Sequence, residues 1–178
     1  MIIKKDIESL ILKHGLKDYQ WIGPEEIVIS QWVRMKCICG CDEFGRPACP
    51  PHMPSVQECH ELIHEYNHII IFRFEKEVAY NDFPKKWARE VSYQLLNLEK
   101  EIFLSGCYKT FFLNAFSCNL CHECKAGKKA CKYPKLLRPT PEALGIDVFT
   151  TVRQLDYPIE VLQEDSKVMN RYAILLIE

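Results

Sequence analysis

The chain has no apolar run approaching the roughly 18 residues that a bilayer-spanning helix requires, which argues against membrane insertion. It has no excess of charge of either sign: 23 Lys and Arg stand against 24 Asp and Glu, a formal net charge of −1. Neither bulk affinity for nucleic acid nor a polybasic membrane role follows from such a balance. The opening residues Met1-Ile2-Ile3-Lys4-Lys5-Asp6 lack the apolar core and the small-residue cleavage site of an export signal, so a cytoplasmic protein is expected. Internal repeats and low-complexity tracts are absent as well, which excludes a solenoid or a tail-like chain. At 178 residues, one domain spanning 1–178 is expected, large enough to bury a core without covalent staples.

What is present in quantity is cysteine. There are ten, and they cluster: five lie in 37–59, four in 118–131, and Cys107 stands between. A disulfide framework would instead spread its cysteines across a short secreted chain. In a reducing compartment, clustered thiols point to metal binding or redox chemistry.

Ile3, Ile7, Leu10, Ile11 and His14 recur at spacings of three and four, predicting an amphipathic helix over 3–15 that Gly15 ends. Residues 19–36 mix signals: Gly23-Pro24 marks a turn, while Ile27, Ile29, Trp32 and Val33 suggest extended structure. Gly40, Gly45, Pro47, Pro50 and Pro51 break 37–54 into an irregular loop. Ser55 and Glu58 make a capping-box pattern ahead of a helix over 56–66. The run 68–74 reads as a buried strand, 84–104 as a long helix beginning at Pro84 and closed by Gly106, and 108–116 as a second strand. A helix over 143–155 and a last strand over 171–177 complete the pattern. The expected fold class is α/β: a small mixed sheet with a right-handed strand-helix-strand crossover, helices packed on it, and two irregular cysteine-rich ligand loops. The second loop would leave the carboxyl end of a strand, where open α/β sheets usually build sites.

The strongest local signal is Cys118-x2-Cys121-x2-Cys124, followed by Cys131 and Pro134. Successive three-residue spacings wrap a loop around one corner of a cubane, so that each thiolate reaches a different iron. Ferredoxins use C-x2-C-x2-C with a following cysteine and proline, but with three residues before the last cysteine where this chain has six. Zinc is the alternative, because tetrahedral sites also use Cys-x2-Cys pairs and His122 would add a nitrogen. Three cysteines in overlapping turns crowd a single ion, so the spacing favours iron–sulfur, with His122 an exposed loop residue.

The second constellation is Cys37, Cys41 and Cys49, three ligands for a cofactor whose fourth is open. Cys39, Cys59, Cys107, a residue of the other group or a non-protein ligand could complete it. Four protein thiolates suit electron transfer, whereas an iron with an open position acts as a Lewis acid toward substrate. Cys59 and Cys107 read more simply as buried core residues. Lys125, Lys128, Lys129, Lys132, Lys135 and Arg138 surround the later cysteines. They would dock an acidic redox partner or form a solvated basic face; only Tyr133 interleaves them, which argues against nucleic acid. Arg34 would serve a substrate anion or a surface ion pair.

Taken in order, Val33-Arg34-x2-Cys37, Cys41, Gly45, Cys49-Pro50-Pro51, Cys118-x2-Cys121-x2-Cys124, Cys131-x2-Pro134 and Arg138-Pro139-Thr140-Pro141-Glu142-Ala143-Leu144-Gly145-Ile146-Asp147-Val148 resemble a prokaryotic family of cysteine-rich proteins described only as predicted metal-binding and of unknown function. The resemblance runs from about residue 30 to the final strand. It implies Cys37, Cys41, Cys49, Cys118, Cys121, Cys124 and Cys131 as the metal- and cofactor-binding set, with Cys39, Cys59 and Cys107 as extras. Three plus four fits one fully ligated cluster and one with an open or unusual ligand. Asp147 would cap the following helix or stand beside a cluster. The expectation is two 4Fe-4S clusters acting in electron transfer with a redox partner protein. The competing readings are an enzyme, desulfidase-like or lyase-like, that takes a small-molecule ligand at an open iron, and a zinc-bound structural or interaction module. Whether the chain is an enzyme is left open.

Overall fold

The computed structural model describes residues 4–78, 83–124, 128–163 and 168–178, and the side chain of Lys128 is not among its described features. Ile3, the expected start of the first helix, lies outside the described residues. In chain order the elements are α1 (Lys4–Lys13), β1 (Tyr19–Ile22), α2 (Gln31–Ile38), α3 (Val56–Ile63), β2 (Ile69–Glu77), α4 (Lys85–Leu104), β3 (Phe111–Leu113), α5 (Val148–Gln154) and β4 (Val168–Leu176). In α1, Ile7 and Ile11 share a face and are buried. In α4, Ala88, Val91, Leu95, Leu98 and Ile102 repeat that pattern over about four turns.

The strands form one sheet in the order β1-β2-β4-β3, and each neighbouring pair is antiparallel. The α/β class and the strand-helix-strand succession of β2, α4 and β3 stand, but the expected mixed sheet is corrected. β2 and β3 run in the same direction, yet β4 lies between them and pairs with both. The final strand fills that slot because both of its faces are apolar. Phe72, Ala173 and Leu175 pack with α1 and α4 on one side, while Ile71, Ile174 and Leu176 pack with α3 and α5 on the other. A strand buried on both faces reads as a continuous apolar run, as 68–74 does. Truncating Ile71, which is fully buried, to alanine would cost about 2–5 kcal/mol.

Several local boundaries differ from expectation, the strands expected over 68–74 and 171–177 running Ile69–Glu77 and Val168–Leu176. Trp32 and Val33 belong to the helix α2 and not to extended chain; Val33 is the only buried residue of α2, so no periodic stripe marks it. The helix expected over 143–155 divides into a 3-10 turn, Glu142–Leu144, and α5, because Gly145 turns left-handed and Asp147 starts a new cap. The helix after Ser55 stops at Ile63, and the strand expected over 108–116 is reduced to Phe111–Leu113. The Ser55 cap forms as expected: its hydroxyl accepts from the Glu58 N–H, and the Glu58 carboxylate accepts from the Ser55 N–H.

Candidate metal centre

The first cysteine loop is positioned by the segment it follows. Residues 28–30 run against 145–147: the Ser30 N–H donates to the Gly145 carbonyl, Asp147 N–H to Val28, and Ile29 bridges Ile146. Gly145 has φ +85°, and a Cβ there would come within 3.2 Å of Val56, so the turn itself and the approach of α3 to it depend on glycine. α2 then projects from this seam with Cys37 in its last turn, the Cys37 thiol 3.9 Å from the Glu142 carbonyl. Arg34 is one turn earlier. Its Nη2 donates to the Pro54 and Ala143 carbonyls, 3.0 Å each, which ties α2 to the loop's exit and to the 3-10 turn, and among the described residues it makes no surface ion pair. Between Cys41 and Cys49 the chain folds back on itself through bonds from Phe44 N–H to Cys41, Cys49 N–H to Arg46 and Gly45 N–H to Pro50. Gly45, at φ +84°, makes that reversal.

The second loop is held at both stems by α4. Its entry, Asn114, donates its N–H to the Pro139 carbonyl at 2.7 Å and bonds the Ser92 hydroxyl through its side-chain amide. Its exit, Arg138, grips Glu99, which is 5% exposed, through Nε and Nη2, and the same carboxylate accepts the Phe112 N–H at 3.1 Å. Between the stems, Arg89 Nε donates to the Asn119 carbonyl at 2.9 Å. Arg138 is therefore turned inward and does not join a basic face. Lys129, Lys132 and Lys135 are exposed, Lys132 lies over the Tyr133 ring, and Lys125 lies outside the described residues. His122 is exposed, its Nε2 3.4 Å from Arg89 Nη1.

The fold gathers the seven candidate ligands into two groups. Cys118, Cys121, Cys124 and Cys131 line one small cavity of about 70 Å³, closed on one side by Arg46 and Pro47 of the first loop. Cys37, Cys41 and Cys49 line a second cavity of about 530 Å³. Cys39, Cys59 and Cys107 line neither; Cys39 is exposed at the end of α2, and Cys59 and Cys107 are buried in the two cores. Among the described residues, no three His, Cys, Asp or Glu side chains are drawn tightly enough around a point to hold a lone ion as they stand.

The thiols in each group sense one another. Burial pushes Cys49 up to about 12, with Glu43, Cys41 and Cys37 adding to the rise and Arg46 opposing it. Burial likewise raises Cys118, where a bond from the Leu120 backbone opposes the rise and Cys124, Cys131 and Cys121 add to it. Burial also raises Cys37, with Cys41 adding and Arg34 opposing. Crowded, partly desolvated thiols keep their protons until a cation displaces them, and a coordinating metal deprotonates a thiol outright. Such a donor set, soft and sharing one space, fits a thiolate-bound metal group.

Around the three-cysteine cavity stand residues that the sequence reading did not single out for the site: Trp32, Lys36, Phe44, Phe83, Phe149 and Arg171. Arg171 carried a legible signal, a charge set directly before the apolar run 172–177. The aromatic residues carried none, because they come from four separate segments. Asp147 also lines this cavity, but its carboxylate is spent as the α5 cap, accepting from the Thr150 N–H at 3.0 Å and the Thr150 hydroxyl at 2.6 Å.

An α/β scaffold that holds two groups of cysteines at the ends of its helices and strands defines a cysteine-rich protein of a metal-binding class. The chain belongs to the family described as "Predicted metal-binding protein (DUF2284)", whose model matches residues 20–177. No curated protein and no solved structure matches the chain. Among the described residues no helix is long and apolar enough to cross a membrane.

Proposed function

We propose that this chain is an iron–sulfur protein with two 4Fe-4S clusters that acts in electron transfer. The observation that carries the reading is the partition of seven cysteines into a closely wrapped set of four and a second set of three, in loops that touch through Arg46 and Pro47. Cys118, Cys121, Cys124 and Cys131 would hold a fully ligated cluster, which supplies one-electron chemistry. Cys37, Cys41 and Cys49 would hold the other. Iron is favoured over zinc because two overlapping Cys-x2-Cys turns, sharing Cys121, crowd three thiolates into seven residues, a spacing that suits the separate irons of a cubane. Exposed Lys129, Lys132 and Lys135 offer an acidic redox partner a docking face.

A second reading, catalysis at an open iron, is favoured by one observation: the three-cysteine cavity is several times larger than the four-cysteine one. An iron with an open position there would supply Lewis-acid chemistry. Anaerobic purification tests the main reading. A brown protein carrying iron and acid-labile sulfide supports it, and a colourless protein with stoichiometric zinc overturns it. Adding cyanide, sulfide or a thiol to the reduced protein tests the second, since an unchanged electron paramagnetic resonance spectrum excludes an open iron.

A further inference from the structure

Arg171 opens the apolar stretch of β4, opposite Phe74 of β2, and lines the three-cysteine cavity. Its Nε is buried with no hydrogen-bond partner, and among the described residues no carboxylate lies within ion-pairing distance of its guanidinium. The charge that acts on it is that of Glu142, an exposed residue of the cavity rim. The other two carboxylates of the lining are engaged elsewhere: Glu43 with Arg46 at 2.6 Å, Asp147 with Thr150. The buried Nε leaves one donor unpaired on a half-buried side chain, which is destabilising unless an acceptor meets it, and the planar fork of a guanidinium matches a carboxylate. The remaining walls include Trp32, Phe44, Phe83, Phe116 and Phe149, with Lys36 among the lining residues on α2. At about 530 Å³ the cavity falls within the range of small-molecule sites.

We propose that this cavity binds a small monocarboxylate with an apolar, aromatic-sized body, the carboxylate held by Arg171 and the body lying between the aromatic walls toward Cys37, Cys41 and Cys49. One guanidinium and the ammonium of Lys36, in a lining that also carries three carboxylates, suit a single negative charge and disfavour a dianion such as phosphate. The inference deepens the open-iron reading and rests on it for what the ligand meets, but the grip by Arg171 is independent of which metal the cysteines hold.

The test is titration calorimetry on full-length, anaerobically purified protein whose iron, sulfide and zinc have been counted. The probes are benzoate, its neutral isostere benzamide, and inorganic phosphate. Benzoate is expected to bind at least about tenfold more tightly than either comparison ligand. Arg171→Gln should lose at least about tenfold in benzoate affinity with an unchanged metal count, and Arg171→Lys should recover only part of it. Benzamide or phosphate binding as tightly as benzoate, or no benzoate binding up to about 10 mM, overturns the proposal. The three-ligand comparison on the unaltered chain decides the matter even where Arg171→Gln fails to fold. Zinc-bearing protein that still selects benzoate upholds this site and overturns the iron–sulfur reading; iron-loaded protein that ignores benzoate overturns this site alone.

Discussion

Replacing Glu99 with leucine should be among the most damaging single changes outside the cysteines. The carboxylate is 5% exposed and accepts from Phe112 N–H, Arg138 Nε and Arg138 Nη2, the last at 2.6 Å. Removing it leaves a guanidinium whose side chain is 19% exposed without its counter-charge, its Nη1 still donating to the Leu137 and Lys135 carbonyls and its Nε and Nη2 facing the rings of Phe111 and Phe112. Breaking one side of a buried pair costs about 3–5 kcal/mol, against about 0–1 for a surface pair. For a chain of this size that corresponds to a fall of about 6–20 °C in Tm. Because Arg138 is the exit stem of the 118–131 loop, the variant should also release metal from the four-cysteine set before the three-cysteine set. Denaturant unfolding followed by circular dichroism gives the stability, and metal analysis after gel filtration gives the retention. The double variant Glu99→Leu/Arg138→Met should be less destabilised than the sum of its single changes, since it leaves no unpaired charge. A loss under about 1 kcal/mol for Glu99→Leu, or strict additivity in the double variant, would refute the assigned role.

Asp147→Ala removes the α5 cap and should cost about 0.5–2 kcal/mol by the same unfolding measurement, while Asp147→Asn retains most of the stability. Cys39→Ser should keep the full metal complement, because Cys39 lines neither cavity; loss of metal from that variant would make it a ligand. At alkaline pH, Tyr172 and Tyr157 decide a different matter. Burial raises Tyr172 to about 12, and burial together with a bond to Asp18 raises Tyr157 as well. The unfolded chain ionises its tyrosines near 10 while the folded one holds these two neutral, so stability should fall as pH rises from about 10 toward 12. Ultraviolet titration of phenolate should place Tyr157 and Tyr172 among the late tyrosines, joining the early ones once the chain is unfolded.

Much of the fold was readable where the signal is local. The stripe of Ile7 and Ile11, the Ser55 and Glu58 box, the Pro84 start of α4 and the Asp147 cap each depend on residues within one or two turns, and each stands in the structure. The insertion of β4 between β2 and β3 was not readable, because strand order depends on pairing between residues about 100 apart in the chain, with no local mark of direction. α2 was missed for a related reason: one buried residue in eight leaves no period to detect. The cysteine spacing announced the two groups, but which cations serve them was hidden. Arg34 and Arg138 look alike in sequence to exposed charges, and the structure spends both on holding loops in place.

The most direct test of the central claim is an iron and sulfide count per chain on anaerobically purified protein, made in parallel for the unaltered chain, Cys121→Ser and Cys49→Ser. Two clusters predict about eight irons and eight sulfides in the unaltered chain, falling to about four of each in either variant, each loss confined to its own cavity. One zinc in place of iron, or a single variant that empties both groups at once, would contradict an account built on two separate thiolate sites.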